Sequence, residues 1–257
     1  MKETMAIKKK KKRTQEKGNY SFLNAINLCH DDEAELKKMI LKEVNNNLQT
    51  LAFIQKYFDL SKEETFITAT STIFNIERLK NNSTTDIVNL KKINDIRYIN
   101  KFFETVNSKL PNSGLFFGCV ETYPNRRQVL LNKYPPFINW IVYFFDTLFT
   151  RVFPKLFITK KIYFYLTKGK GRVISRAETY GRLYSCGFEI VDERSMSNMH
   201  YFVAKKMKYP VFDTSPTYGA IIRLKRIGKE KKKFNVYKLR TMHPFSEYLQ
   251  EYVYNQN

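Results

Sequence analysis

One stretch, from Asp86 to Val120, limits the fold more than any other. DIVNL (Asp86 to Leu90) is a short, mostly apolar run. In residues 93–110, Ile96, Ile99, Phe103, Val106 and Leu110 recur at helical spacing. PNSG (Pro111 to Gly114) reads as a turn, and LFFGCV (Leu115 to Val120) has no polar side chain except a thiol. A strand without polar alternation needs cover on both faces, as in a parallel sheet flanked by helices. Strand, helix, turn and strand make one βαβ unit. The expectation is an α/β protein with Leu115 to Val120 as a central parallel strand.

The flanking sequence extends this pattern. Residues 33–58 predict a helix, with Leu36, Met39, Ile40, Val44, Leu48, Leu51 and Ile54 on one stripe. The Thr-, Ile- and Phe-rich residues 64–76 predict a strand. Residues 174–186 predict a helix broken by Gly187, with Ala177, Tyr180, Leu183 and Tyr184 inward. FEIVDE, an SMSN turn and HYFVAKK then predict an antiparallel hairpin over residues 187–207, at one edge of the sheet.

The chain of 257 residues carries 45 Lys and Arg against 24 Asp and Glu, a formal charge of +21, and is 15% aromatic. A hydrophobic share of 43% is too high for an unfolded chain. Excess positive charge favours polyanionic partners: nucleic acid, anionic lipid or nucleotide phosphates. Cys29, Cys119 and Cys186 are too widely spaced for a disulfide framework or a metal knuckle, and predict free thiols in a reducing compartment. His30, His200 and His243 show no metal-ligand spacing. Residues 1–20, with a basic run from Lys8 to Arg13, predict a disordered tail, either solvated or tethered to anionic lipid.

These elements resemble the second half of a class I methyltransferase-like Rossmann domain: DIVNL, a helix, LPNSGLFFGCV, then GRLYSCGFEIVDE and HYFVAKK. The resemblance implies a Rossmann-like domain over residues 21–207. That family binds its methyl donor on a glycine-rich loop near the start of the domain, whereas here no glycine lies between Gly18 and Gly114. The domain therefore reads as degenerate, with no cofactor.

Residues 134–170 read as an insert. Twelve aromatics fall between Tyr134 and Phe164–Tyr165. A helix over 137–153 would put Phe137, Ile141, Phe144, Phe145, Leu148 and Val152 on one face, and Asn139, Asp146 and Thr150 on the other. Trp140 lies near the apolar face. At about 25 Å it is short for a bilayer span. Arg151, Lys155, Lys160, Lys161, Lys168, Lys170, Arg172 and Arg176 follow with no acid among them. Two readings stand: a helix in the membrane interface, contacting an anionic surface through Phe137, Trp140, Ile141, Phe144, Phe145 and Leu148, or a lid packed on the sheet.

Residues 208–257 hold a second pattern. AIIRL and FNVYKL, joined by a charged turn from Gly228 to Lys233, predict a β-hairpin with nine basic residues from Arg223 to Arg240 and one acid, Glu230. By charge alone it is a solvated hairpin or a nucleic-acid surface. Gly219, Arg226, Gly228, Phe234, Tyr237, Lys238, Arg240, Thr241 and Met242 resemble the opening of the bacterial sugar transferase domain, the monotopic phosphoglycosyl transferases. The form resembled is the Bacteroidetes-type one with a methyltransferase-like domain in front.

The resemblance implies transfer of a sugar 1-phosphate from a UDP-sugar to polyprenyl phosphate, at the cytoplasmic face of the bacterial inner membrane, in exopolysaccharide or capsule assembly. It also implies Mg²⁺ and an Asp-Glu pair in an L-D-E-L-P run. This chain has no such run, so the expectation is a truncated or split member, inactive alone, with a separate downstream fragment as a potential partner. Arg223, Arg226, Lys238 and Arg240 are the expected contacts to the pyrophosphate. Two other readings are a non-catalytic docking module and a nucleic-acid binder. No RNP or helix-turn-helix pattern favours nucleic acid, and none is expected as a partner.

Overall fold

A computed structural model describes residues 33–81, 83–212 and 221–256. The basic run from Lys8 to Arg13, Cys29, His30 and Gly219 lie outside the described residues.

Two helices open the described chain, α1 (Glu33–Glu43) and α2 (Leu48–Gln55). The single helix expected over 33–58 is broken by three asparagines. Asn45 and Asn46 take left-handed φ values of 54° and 57°, which short polar side chains tolerate. Asn47 then caps α2, its Oδ1 accepting from the N–H groups of Gln49 (2.9 Å) and Thr50 (3.2 Å). The break turns Leu48 outward, while Leu36, Ile40, Val44, Leu51 and Ile54 stay buried.

Strand β1 (Thr65–Thr68) is much shorter than the run 64–76 suggested. It ends because the next backbone groups pair with a side chain instead of a ladder. The Asn89 amide accepts from the Thr70 N–H (3.0 Å) and donates to the Thr70 carbonyl (3.1 Å). A one-turn helix, α3 (Phe74–Glu77), follows. Then come β2 (Asp86–Lys92), a 3₁₀ turn at Ile93–Asp95, α4 (Ile99–Lys109) and β3 (Leu115–Val120); the helix expected over 93–110 starts six residues late, because Ile96 takes extended backbone angles.

The insert region is α5 (Tyr123–Lys133), α6 (Ile138–Thr147) and α7 (Phe157–Thr167). The helix expected over 137–153 is therefore shorter. Phe137 precedes it at φ 70°, and a π-turn at Leu148–Val152 and a 3₁₀ turn at Phe153–Lys155 end it. Helix α8 (Arg176–Ser185) starts at the Ser175 cap and stops at Gly187, whose φ of 83° suits glycine. Strands β4 (Phe188–Met196) and β5 (Met199–Lys206) are joined by Ser197 and Asn198 alone, both at positive φ, so the turn is two residues shorter than SMSN.

The sheet is five-stranded and mixed, in the order β1-β2-β3-β5-β4. Strands β1, β2 and β3 are parallel, and β5 lies antiparallel between β3 and β4. Strand β3 is central, as expected, and its alternate residues feed two cores. Phe116 packs with Phe102, Phe103, Phe188 and Phe202 on one face, and Phe117 packs with Phe53, Phe58 and Tyr201 on the other. Helices α4 and α8 cover the first face; α1 and α2 cover the second. Gly118 is forced by this packing, since a Cβ there would lie 2.6 Å from the Phe202 ring.

A separate two-stranded sheet, β6 (Ile221–Ile227) and β7 (Lys233–Leu239), is the expected hairpin. The chain closes with α9 (Gln250–Gln256), after Phe245 packs on α8 so tightly that a Cβ on Gly181 would meet the Phe245 carbonyl oxygen at 2.2 Å. Cys119 and Cys186 are buried free thiols; burial pushes each up to about 12.

Candidate functional site

Helix α6 is amphipathic in the reverse of the usual sense. None of its residues is buried. Phe137 is 85% exposed, Trp140 53%, Phe144 62% and Phe145 61%, with Ile138 and Ile141 also exposed. Leu148 is half-buried. The polar residues face the body instead. Asp146 accepts from Arg126 Nη2 (2.7 Å) and Nε (3.2 Å), and Asn139 donates to the Leu131 carbonyl. Arg126 also reaches Glu121, which lies 2.5 Å from Lys92 Nζ at the end of β2. Burial pushes Glu121 up, but Lys92 and Arg126 outweigh it and hold the carboxyl below its usual range.

Helix α7 also exposes apolar side chains. Ile158, Ile162, Tyr165 and Leu166 are exposed, beside the exposed Lys160 and Lys161. Its buried Tyr163 anchors it, packing on Phe149 at 5.3 Å. The following turn is tied to the sheet, since Asn94 Nδ2 donates to the Arg172 carbonyl (2.9 Å) and Gly171 N–H donates to Asp95 (3.0 Å). The insert is thus held by its polar and basal residues, and presents its aromatic ones to solvent. Exposed aromatic and aliphatic side chains gathered on a helix mark a candidate interaction surface. Among the described residues, no helix is long and apolar enough to cross a membrane.

Beneath the insert lies a charged cluster centred on Glu178 in α8. Glu178 and Arg182 form a buried ion pair at 2.7 Å. Burial pushes Glu178 up, but Arg182, Lys155 and Arg172 outweigh it and hold the carboxyl low. Lys155 is lowered by burial, against the pull of Glu178 and with the help of Arg151, Arg182 and Arg240. The Tyr123 hydroxyl is raised by burial, and further by Glu178, to about 12. Sequence reasoning missed this hub. Its signals were the S-x-x-E spacing of Ser175 and Glu178, and the four-residue step to Arg182.

The hairpin does not gather the four cations expected to hold pyrophosphate. Arg226 opposes Phe234 and Lys238 opposes Ile222, which puts both on one face. Arg223 opposes Tyr237 on the other face, and Arg240 lies beyond the ladder. Along their shared face, Arg226 and Lys238 are four residues apart in register, about 13 Å. The hairpin's one acid, Glu230, pairs with Lys232 (3.0 Å). Elsewhere, Asp192 is bound by Lys56 and Tyr57, and Glu193 by Arg176 and Tyr180. Among the described residues no group of three or more His, Cys, Asp or Glu is placed to hold a metal ion. The hairpin's lone Glu230 is not the adjacent Asp-Glu pair on which the resemblance places Mg²⁺ chemistry. No family model matches the chain, and no curated protein does.

Proposed function

We propose that this chain is a peripheral membrane protein, seated on an anionic lipid surface by α6 and α7. The orientation of α6 carries the reading. A lid packed on the sheet would turn Phe144 and Phe145 inward and Asp146 outward, and the reverse is found. Exposed Trp, Phe and Ile beside Lys160 and Lys161 match the composition of an interfacial helix. The test is the emission of Trp140, the single tryptophan, on adding vesicles. A blue shift is expected with anionic vesicles and a smaller one with neutral vesicles. No shift with either overturns the reading.

The sequence resemblances supply the context: a methyltransferase-like Rossmann domain, and sugar 1-phosphate transfer from a UDP-sugar to polyprenyl phosphate in polysaccharide assembly, at the cytoplasmic face of a bacterial inner membrane. In favour of the first is the strand order, with the final strand inserted antiparallel beside β3. In favour of the second is the hairpin at the apolar-turn-apolar run of the transferase-like opening. Within that context, this chain serves as a docking module rather than a catalyst. The observation behind that choice is that the hairpin carries one carboxylate, Glu230, and not the adjacent Asp-Glu pair that the resemblance assigns to catalysis. The resembled reaction runs through attack by a carboxylate, a role that the hairpin's cations do not fill. UMP release from UDP-sugars with polyprenyl phosphate and Mg²⁺ is therefore expected to stay at background. Turnover by the chain alone would overturn the docking-module reading. Turnover only with an added transferase fragment would support a split enzyme.

A further inference from the structure

The β6–β7 hairpin is a sheet without a core. No residue of either strand is buried. Among the described residues the two strands pair only with each other, and no backbone hydrogen bond joins them to the body. A lone two-stranded ribbon is marginal in water, and a third strand or an apolar cover stabilises it. The outer edge of each strand also keeps a row of unpaired N–H and C=O groups. The edge of β6 has a pattern. Arg223 and Lys225 share one face, with Ile222 and Leu224 on the other, half-buried beside Val236. Glu230, the hairpin's one acid, pairs with Lys232 at the turn rather than with either cation. A neighbouring strand matches this edge when carboxylates fall beside Arg223 and Lys225 and apolar residues beside Ile222 and Leu224.

The charge of the hairpin selects the occupant. Between Ile221 and Leu239 lie eight basic residues and one acid, so a second copy would meet like charge. An anionic bilayer matches the cations but gives a free edge no backbone partner. Nucleic acid phosphates likewise match the cations but do not continue a ladder. A strand of alternating acidic and apolar residues does both. We propose that the outer edge of β6 takes up such a strand from a partner protein, completing a three-stranded sheet. The proposal gives the docking-module reading its partner, and rests on that reading for the choice of a protein. The unpaired edge and its alternation stand apart from it.

The experiment adds to the full chain a short peptide of alternating Val and Glu, blocked at both ends. Two control peptides keep its charge. One has all Val before all Glu; the other is N-methylated throughout and has no N–H to donate. The alternating peptide should slow hydrogen exchange in residues 221–227 and bind about tenfold tighter than either control. Arg223→Glu and Lys225→Glu should each weaken it about tenfold, since each turns an attractive cross-strand pair into a repulsive one. Thermal unfolding of both variants should keep the wild-type midpoint, because neither side chain is buried. Equal binding of all three peptides is charge attraction alone and overturns the strand. Unchanged exchange in residues 221–227 with the alternating peptide overturns it too. Slowing of the same amides by anionic vesicles or a single-stranded oligonucleotide, and not by the peptide, assigns the hairpin to that partner instead. Failure of the peptide with UMP release still at background removes the strand and leaves the docking-module reading intact. UMP release by the chain alone removes that reading, and the peptide then decides the edge by itself.

Discussion

Phe116 and Phe144 are the same side chain in opposite circumstances. Phe116 is fully buried at the centre of the sheet, and Phe144 is 62% exposed on α6. The sheet turns its apolar side chains into two cores, and its polar edge, β4, to water. The insert turns its carboxylate inward to Arg126 and its aromatics outward. Both regions are apolar in composition, so hydrophobicity did not choose the side. What chose it was the ion pair: Arg126 is itself held by Glu121 at the end of β3, and it dictates which face of α6 points down. A helix fixed by a salt bridge at its polar face has only its apolar face left to present.

Truncating each ring separates the two regions most strongly. Phe116→Ala should cost about 3–5 kcal/mol of stability, measured by denaturant unfolding. Phe144→Ala should change stability by less than about 0.5 kcal/mol and instead weaken vesicle binding. Equal losses from both would mean that α6 packs on the body.

Acid should strike the anchors next. Glu178 and Glu121 both have folded pKa values below their ordinary 4.5. The unfolded chain therefore binds more protons in the window just below that value. Stability from these groups is fully present above it, and is lost as pH falls through the depressed folded values. The unfolding midpoint should drop steeply below about pH 4.5, and less steeply in Glu178→Gln. A pH-independent midpoint down to the lowest pH tested would remove both carboxylates from the stabilising network.

A smaller effect is expected from Asp146→Ala, about 1–2 kcal/mol, because the partly buried Arg126 keeps Glu121. Its signature is local. Hydrogen exchange should rise over residues 138–152 and not in β3. The least change is expected from Arg223→Ala, which lies on the exposed hairpin face opposite Arg226. Stability should stay within about 0.5 kcal/mol.

The βαβ unit was legible because its signals are local. Continuous apolarity in LFFGCV and the stripe from Ile99 to Leu110 follow from backbone period within a few residues, as the stop of α8 at Gly187 follows from local sterics. The break at Asn45 to Asn47 was legible in principle, since asparagine triplets favour turns, but a strong apolar stripe concealed it. The end of β1 was not legible. It depends on Asn89, nineteen positions away, competing for the Thr70 backbone.

The same division holds for the sites. The amphipathic insert was visible as a pattern, but a helical wheel has no inside or outside until something pins it. The pin, Arg126 on Asp146, joins residues twenty apart on different helices. The hairpin followed from alternation and turn chemistry, but alternation also puts Arg223 and Arg226 on opposite faces, which counting charges does not reveal. The Glu178 cluster draws on α5, the α6–α7 connection, α8 and the residues before α9, so only folding brings its charges within a Debye length of one another. Sequence by itself determined the periods, the caps and the total charge, because those are properties of neighbouring residues. Tertiary structure decided which faces are buried and which charges meet, because both depend on partners the chain reaches only by folding back.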